Sequence, residues 1–281
     1  MPELPDLIYL KNKLQPIVHG AKIKKVTVYH PIVLRIIAGK GLAQELDGTT
    51  INGLQQRGPF FIMECGRYEV IINFMLTGRL QLDMKKLRVK KSLCFTFECE
   101  NVGEDSSNKT FFLSYTDKKH MGKVYLTTYG NYGQIPMFCE QGIPLLSDQF
   151  TLDYFTQNIH RTRRQVRLFI MDKKIISSIG NAYADEVLFD AKIHPKTTCN
   201  KLTDQQIKTL YTSIISVHKW AIEEVAKQNN AIEKEYRGHL KVRNNKGEPC
   251  PECGTKIRRT QVNGYDTFYC PECQPGGNSI F

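Results

Sequence analysis

The sequence lacks the features that would place it in a membrane or outside the cell. It has no apolar run of the roughly 20 residues that span a bilayer, and its start lacks the short apolar core of a secretory signal. Acidic residues are scarce beside basic ones, 28 against 39, so the formal net charge is +11. We therefore expect a cytosolic protein of about two or three domains with a polyanionic partner such as nucleic acid. Ribosomal, membrane-surface and merely soluble proteins can be equally basic.

Most of the nine cysteines lack paired spacing, and we expect reduced thiols at Cys65, Cys94, Cys99, Cys139 and Cys199. The other four form Cys250-x2-Cys253, a gap of 16 residues, and Cys270-x2-Cys273. This spacing is typical of a four-thiolate zinc ribbon, with disulfides as the alternative. We expect one structural Zn²⁺ there, with a β-hairpin between the pairs that turns at Asn263-Gly264.

The chain begins Met1-Pro2-Glu3, so removal of Met1 would leave a prolyl amine as the first group. An α-amino group has a lower pKa than lysine, and more of it is therefore uncharged at neutral pH. Such an amine can attack an aldehyde carbon of an abasic sugar and form an iminium, while Glu3 moves protons beside it. An ordinary frayed start is the alternative.

The residues after this start predict a short helix. Leu7, Leu10, Leu14 and Ile17 recur at helical spacing, and Pro5 suits a first helical turn. Pro16 is expected to end the helix. A helix that packs on a core would hold the terminal amine in place.

The predicted secondary structure of the rest of the chain changes from strands to helices near residue 148. Before it, β-rich runs separated by turn residues predict a sandwich or barrel with a short helix at Gly41–Asp47, a hairpin loop at Asn101–Lys109 and a linker at Tyr129–Pro144. The runs are Val26–Tyr29, Phe60–Glu64, Val70–Phe74, Leu93–Glu98 and Phe111–Tyr115. After it, Val166 to Ile170 and Leu210 to Ala226 follow helical spacing.

A turn at Ser177–Gly180 followed by a helix with Asn181 as its N-cap would present backbone N–H groups to an anion. A capped junction between two helices is the alternative. Three clusters of basic residues could also contact a polyanion, or could simply be solvated faces. They are Lys85–Lys91, the group Arg161, Arg163, Arg164 and Arg167, and the group Lys256, Arg258 and Arg259.

Three stretches together resemble the formamidopyrimidine-DNA glycosylase and endonuclease VIII family, in that family's order and over the whole chain. They are Pro2-Glu3-Leu4-Pro5, the run Ile179-Gly180-Asn181-Ala182-Tyr183-Ala184-Asp185-Glu186 that continues to Ile193-His194-Pro195, and Cys270-Pro271-Glu272-Cys273-Gln274. The resemblance implies an α+β multidomain fold. Its parts are an N-terminal catalytic β-sandwich with an N-terminal helix at 1–135, a helix-two-turn-helix domain at 136–238 and a zinc finger at 239–281.

The resemblance also implies base-excision repair. Members of the family bind double-stranded DNA containing damaged bases or abasic sites in the cleft between their lobes, flip out and excise an oxidised or ring-opened base, and nick the strand by β- or β,δ-elimination. For this chain it implies a monomeric, bacterial-type enzyme of the cytoplasm that associates with the nucleoid and not with a membrane.

Residue roles follow from the same resemblance. Pro2 would be the nucleophile at the sugar C1′ and Glu3 its proton-transfer partner, while Asp6 stands where the family usually has glutamate. Gly180 and Asn181 would hold a backbone phosphate, assisted by Arg163. The residues expected to fill the vacated space or contact DNA beside it are Leu76, Lys119, His120 and Met121. A core Leu and Met with surface cations is the alternative.

Two departures from the family pattern remove positive charge. Pro59 stands where the family commonly has a phosphate-gripping lysine, and Tyr265 where its zinc hairpin has an arginine. DNA binding should weaken, since charge-assisted hydrogen bonds contribute about 1.5 to 3 kcal/mol each, unless Arg57, Arg258 or Arg259 compensates. The second elimination and the preferred lesion stay open. A damaged-DNA-binding protein without excision activity is therefore an alternative, and an RNA-binding zinc-ribbon protein is a third.

Overall fold

The chain folds as two compact units in a computed structural model that describes residues 1–101 and 109–276. The first unit contains residues 1–140 together with 228–235, and the second contains 141–227 and the residues from 236 onward. Most of the predicted hairpin loop, residues 102–108, lies outside the described residues. The domain boundaries at 135 and 238 stay predictions.

The first unit begins with α1 (Leu4–Val18), and its predicted buried face is confirmed by Leu7, Leu10 and Leu14, each at most 5% exposed. Pro5 lies in the first turn, as expected. These side chains belong to the large apolar cluster of the unit. The helix is therefore fixed to the core along its length.

The end of α1 differs from the prediction, because Pro16 lies inside the helix, which continues to Val18. A proline in the last turn removes the N–H that would bond to the carbonyl of Asn12. Asn12 and Pro16 are both exposed, so water can satisfy that carbonyl. Full burial of Val18 holds the last turn against the core.

Two sheets in the first unit confirm the predicted sandwich. In chain order its elements are β1 (Lys22–Val28), β2 (Leu34–Ile36), α2 (Leu42–Leu46), β3 (Ile51–Arg57), β4 (Phe60–Cys65), β5 (Tyr68–Asn73), β6 (Gly78–Asp83), β7 (Leu93–Asn101), β8 (Lys109–Asp117) and β9 (Lys123–Thr128). One sheet has the order β1-β7-β8-β6 and the other β2-β9-β5-β4-β3. Phe95 and Leu113 of the first sheet share one core with Phe61 and Val70 of the second.

The expected linker after β9 is anchored on the opposite face of the second sheet. Ile135 and Phe138 are buried with Phe60, Ile62 and Tyr125. Strands β4, β5 and β9 therefore carry apolar side chains on both faces. This explains why β4 reads as a continuous apolar run instead of an alternating one.

The second unit is helical, as predicted, and carries the ribbon. Its elements are β10 (Ile143–Pro144), α3 (Leu152–His160), α4 (Val166–Ile170), β11 (Ile176–Ser177), α5 (Asn181–Asp190), α6 (Asp204–Lys227), β12 (Arg258–Val262) and β13 (Tyr265–Tyr269). Phe189 of α5 packs with Val242, Ile257 and Phe268, so the ribbon shares an apolar cluster with α5. Within the described residues, no helix is both long and apolar enough to cross a bilayer.

Candidate catalytic terminus and nucleic-acid interface

The residues expected to be catalytic lie together at the start of α1. Glu3 is the N-cap and is 8% exposed, while Pro2 is half-buried. The Glu3 N–H donates to the Asp6 carboxylate at 2.8 Å, one half of a capping box that these two acids form. Pro2 and Asp6 line a small pocket with residues 232–235. The start of the chain is thus ordered and not frayed, and the shorter acid at position 6 completes the cap.

Two loops at one end of the first sheet carry the residues expected to displace a base, and we call residues 75–78 and 117–122 the wedge loops. The buried Asp117 carboxylate joins the two loops. It accepts hydrogen bonds from the Thr77 hydroxyl, from the Lys119 N–H at 3.1 Å and from the Gly122 N–H at 2.7 Å. Leu76 is 48% exposed and Met121 is 38% exposed. The alternative of a core Leu and a core Met is therefore wrong.

The backbone of the wedge loops is strained at two non-glycine residues. Met75 has φ 50° and His120 has φ 51°, in the left-handed region that costs roughly 1 to 2 kcal/mol for an L-residue. The His120 ring lies 3.0 Å from the Lys91 carbonyl through Nε2, and Lys119 is exposed. Packing around Asp117 holds this geometry and leaves the tips of both loops in solvent.

Two glycines of the wedge loops make room for the buried Tyr115 hydroxyl. A Cβ on Gly78 would lie 2.3 Å from that oxygen, and a Cβ on Gly122 would lie 1.9 Å from it. Tyr115 is fully buried, and burial raises the pKa of its hydroxyl. Sequence reasoning missed this requirement, although both glycines follow candidate contact residues closely.

Arg57 lies at the end of β3, exposed to solvent, with its guanidinium 4.8 Å from the centre of the Phe138 ring. Pro59 follows in the turn to β4 and is half-buried. The stacked Arg57 is therefore the cation that this turn offers to a polyanion, since Pro59 carries no charge.

In the second unit, the turn before α5 differs from the prediction at one residue. The N-cap of α5 is Gly180, and Asn181 is the first residue of the helix. The Asn181 side chain instead accepts a hydrogen bond from the Arg167 guanidinium at 3.0 Å. Gly180 and Asn181 still form the start of a ten-residue helix, where an anion is favoured. Arg163 is exposed.

Arg167 is buried and paired, so neither alternative for its basic cluster, contact with a polyanion or a solvated face, holds for this residue. It is 0% exposed and donates through Nε to the Asp185 carboxylate at 2.9 Å. The Asp185 carboxylate also accepts hydrogen bonds from the Arg243 guanidinium at 2.8 Å and from the Phe268 N–H at 3.2 Å. The buried Asp185 carboxylate therefore holds strand β13 directly and the turn at Asn181 through Arg167.

Glu186 performs a related task for the segment that leads into the ribbon. Its carboxylate, 2% exposed, accepts the backbone N–H groups of Lys241, Val242 and Arg243, each at 2.9 Å. Burial raises the pKa of the Glu186 carboxyl, and these hydrogen bonds oppose the rise. The sequence predicted no separate role for Asp185 or Glu186, which belong to the motif that runs from Ile179 to Glu186. Their signal was two adjacent acids in the middle of α5, between Ala184 and Val187.

The four ribbon cysteines fit one tetrahedral zinc ion. Their Sγ atoms all lie within 4.8 Å of one another, with Cys250 and Cys273 at 3.9 Å and Cys253 and Cys270 at 3.4 Å. Zinc–sulfur bonds of about 2.3 Å separate tetrahedral sulfurs by about 3.8 Å. A disulfide would need two sulfur atoms about 2.05 Å apart, so the disulfide alternative is wrong. The buried Gln274 accepts the Cys270 N–H at 3.0 Å and donates to the Ile193 carbonyl at 2.9 Å.

The hairpin between the cysteine pairs turns at Asn263-Gly264, as predicted, with φ 48° and 77°. Tyr265 follows the turn and is 47% exposed. Arg258 is exposed on β12, and Arg259 pairs with Asp266 at 2.7 Å. Arg258 and Tyr265 are thus available on the surface of this hairpin, whereas Arg259 is partly neutralised.

Comparison with protein families matches three domains in order along the chain. The model of the formamidopyrimidine-DNA glycosylase N-terminal domain matches residues 1–124, and the model of the formamidopyrimidine-DNA glycosylase H2TH domain matches 142–232. The model of the zinc finger found in FPG and IleRS matches 247–276. With the sulfur geometry, this last match identifies the four-cysteine cluster as one structural zinc site.

Relatives and solved structures match over nearly the whole chain. A formamidopyrimidine-DNA glycosylase of Listeria monocytogenes is 29% identical over 98% of this chain and 100% of its own, and one of Bacillus cereus is 29% identical over 98% and 99%. The Lactococcus lactis Fpg in complex with DNA containing an abasic site has a TM-score of 0.85 and 26% identity over 98% of this chain and 100% of its own. The same protein with DNA containing Fapy-dG gives the same values. The chain therefore belongs to the formamidopyrimidine-DNA glycosylase family.

Proposed function

We propose that this protein repairs DNA through its amino-terminal proline. It is a DNA base-excision repair glycosylase that removes oxidised or ring-opened bases from duplex DNA, with abasic-site lyase activity. The observation that carries the role of Pro2 is its place beside the capped start of α1, half-buried and next to two acids. A nucleophile must be held within reach of its target, and a packed helix supplies that restraint.

The chemistry needs an uncharged secondary amine and a nearby acid. After Met1 is removed, the Pro2 nitrogen attacks C1′ of the damaged nucleotide, and the bond to the base breaks with its electron pair leaving on the base. The sugar ring opens to an iminium, and a proton is lost from C2′ as the 3′ carbon–oxygen bond breaks. Glu3, which is adjacent in the chain, moves protons at this centre, and Asp6 holds Glu3 in place through the cap.

The exposed side chains would have two roles on the duplex, since some would contact phosphates and others would fill the space of the flipped base. A base must leave the stack before its sugar can be attacked. Leu76 and Met121 would fill the space that it vacates, with Lys119 and His120 beside them. Phosphate contacts are assigned to Arg57, Arg163, Gly180, Asn181, Arg258 and Tyr265. Backbone contacts of this kind position DNA without reading its sequence.

The partner is double-stranded DNA containing damaged bases or abasic sites. Its recognition is supported by the net charge of +11 and by the family's crystallised complexes, in which the Lactococcus lactis protein binds DNA with an abasic site or Fapy-dG. We place the protein as a monomer in the cytoplasm, associated with the nucleoid.

Activity on defined duplexes tests this function. Purified protein is incubated with duplexes that carry an abasic site, an oxidised purine, an oxidised pyrimidine or ring-opened guanine, and base release and strand cutting are measured separately. We expect release from at least one damaged duplex and cutting of the abasic duplex. Tight binding to the damaged duplexes with neither reaction would instead support a binding protein without excision activity. Equal affinity for undamaged RNA would support the RNA-binding alternative.

A further inference from the structure

A segment distant in sequence brings a carboxylate to the amino terminus. Residues 228–235 follow α6 yet belong to the first unit. The Glu235 carboxylate lies 3.3 Å from the amino group of Met1. Arg79 of β6 donates to the same carboxylate. Glu235 thus joins the chain terminus to the first sheet.

Arg79 extends this contact to the wedge loops. Its second guanidinium nitrogen donates to the Gly78 carbonyl at 2.6 Å and lies 3.3 Å from the Leu76 carbonyl. One continuous set of polar contacts therefore runs from the backbone of the exposed Leu76 through Arg79 and Glu235 to the terminal amine. One end of this set is the wedge loop at Leu76, and the other is the Met1 amine, which directly precedes the Pro2 nucleophile of the proposed reaction.

The segment that carries Glu235 is fixed on α1. The Tyr9 hydroxyl donates to the Asn230 carbonyl, and the Lys13 ammonium contacts the Asn229 side chain. The side chains of Glu235 and Arg79 are 20% and 24% exposed, so water screens their pairing only in part. Glu235 is therefore held in position and does not sample the surface freely.

We infer that Glu235 is a positioning residue for the Pro2 amine, an inference that rests on the proposed function. Pro2 and Glu235 line the same pocket. Once Met1 is removed, the amine of Pro2 becomes the terminal group there, and the carboxylate attracts it as an ammonium and, after attack, as an iminium. Through Arg79, the same carboxylate keeps the amine in a fixed relation to the wedge loops. The other charged or titratable groups that line this pocket are Asp6, Tyr9, Arg79, Glu233 and Lys234.

The test compares Glu235→Gln, Glu235→Asp and Glu233→Gln in the full chain. Glu233 lines the same pocket, so Glu233→Gln removes the same charge two residues away. The rate of borohydride-trapped adduct formation on abasic duplex is measured under single turnover against pH, together with the Kd for that duplex and the Tm. For Glu235→Gln we expect a maximal rate about tenfold lower, because the amine is less well placed. The acid limb of its profile should move to lower pH, because loss of the carboxylate favours the uncharged amine.

The Kd and the Tm should stay near those of the wild type, Glu235→Asp should restore part of the rate, and Glu233→Gln should behave like the wild type. An unchanged rate and pH profile in Glu235→Gln would overturn the inference while leaving the proposed function standing. Equal losses in Glu235→Gln and Glu233→Gln would also overturn it, as would a rate loss that follows a fall in Tm. If the wild-type adduct forms at a residue other than Pro2, the proposed function itself fails.

Discussion

At the scale of single residues, buried charges in the second unit organise the surfaces that would meet DNA. Asp185 is shared by Arg167 and Arg243, and Arg167 also fixes the Asn181 side chain. A charge with no access to water must be paired, because desolvation otherwise costs several kcal/mol. The phosphate contact that we propose for the half-buried Asn181 therefore depends on Arg167, which has no exposed surface.

Replacing Arg167 with Met should destabilise the second unit by about 3 to 5 kcal/mol, because Asp185 loses one of its two guanidinium partners. The single tryptophan, Trp220, lies in α6, so its fluorescence during urea unfolding reports on this unit. Arg163→Gln, which changes an exposed arginine nearby, should alter stability by less than about 0.5 kcal/mol. Equal stability of the Arg167→Met variant and the wild type would show that the buried pair is not needed.

His218 makes the second unit sensitive to acid. It is fully buried in α6, with Nδ1 2.7 Å from the Ile214 carbonyl, and burial lowers its pKa to about 4. The unfolded chain, with a histidine pKa near 6.5, binds the proton more readily. The stability that the neutral ring contributes is therefore present above about pH 6.5 and is lost as the pH falls towards 4, by up to about 3 kcal/mol.

His218→Asn, which keeps a donor near Nδ1 but does not titrate, should remove most of this pH dependence. Urea unfolding followed by Trp220 fluorescence at pH 4.5 and pH 7, in both proteins, measures the difference. If both proteins lose the same stability between these two pH values, His218 is not the group responsible.

At the scale of elements, the ribbon depends on its metal and on α5. The strands β12 and β13 have five residues each, and Phe268 of β13 joins Ile257, which precedes β12, in one small cluster with Phe189. A segment of this size cannot bury enough surface by itself. The zinc site and the contacts of Glu186 and Asp185 therefore hold the hairpin that displays Arg258 and Tyr265.

Removal of zinc should abolish DNA binding while the β-sandwich stays folded. Metal analysis should find about one zinc per chain, and Cys253→Ser should lower that content. Binding to abasic duplex and the melting of the β-sheet signal are measured as a chelator is added. A metal-free chain that binds DNA as tightly as the zinc-loaded one would refute the dependence of the hairpin on zinc.

Element prediction from the sequence succeeded where a local pattern is sufficient. Periodicity fixed α1 and α6, turn residues separated the strands, and cysteine spacing with Asn263-Gly264 fixed the hairpin. It failed at Pro16, because the burial of Val18 outweighs a local preference, and at Asn181, because Arg167 recruits the side chain that would have capped α5. Arg167 itself was misread since its partner Asp185 lies 18 positions away.

At the scale of the whole molecule, the sequence predicted the fold class and the order of the parts, but not the contacts between distant segments. Arg79 and Glu235 are 156 positions apart, and periodicity or composition cannot pair them. The same holds for the exposure of Leu76 and Met121, which follows from how Asp117 ties two loops together. Family resemblance supplied residue roles at matched positions, and it gave no role to Glu235.

The charge of the whole chain also bears on the two departures from the family. Pro59 and Tyr265 remove local cations, yet the net charge remains +11. Arg57, two residues before Pro59, stacks on Phe138, and Arg258 is exposed on the same hairpin as Tyr265, although at the end opposite the turn, where it pairs with Tyr269. The general attraction to DNA is therefore retained.

The central claim is that the Pro2 nitrogen forms the covalent bond to DNA. The most direct measurement is mass spectrometry of the protein after incubation with abasic duplex and borohydride, followed by digestion of both protein and DNA. The account predicts a chain that has lost Met1 and carries the reduced sugar on the peptide that begins at Pro2. A reduced sugar on a lysine peptide, or an intact Met1 in protein that cuts the duplex, would contradict it.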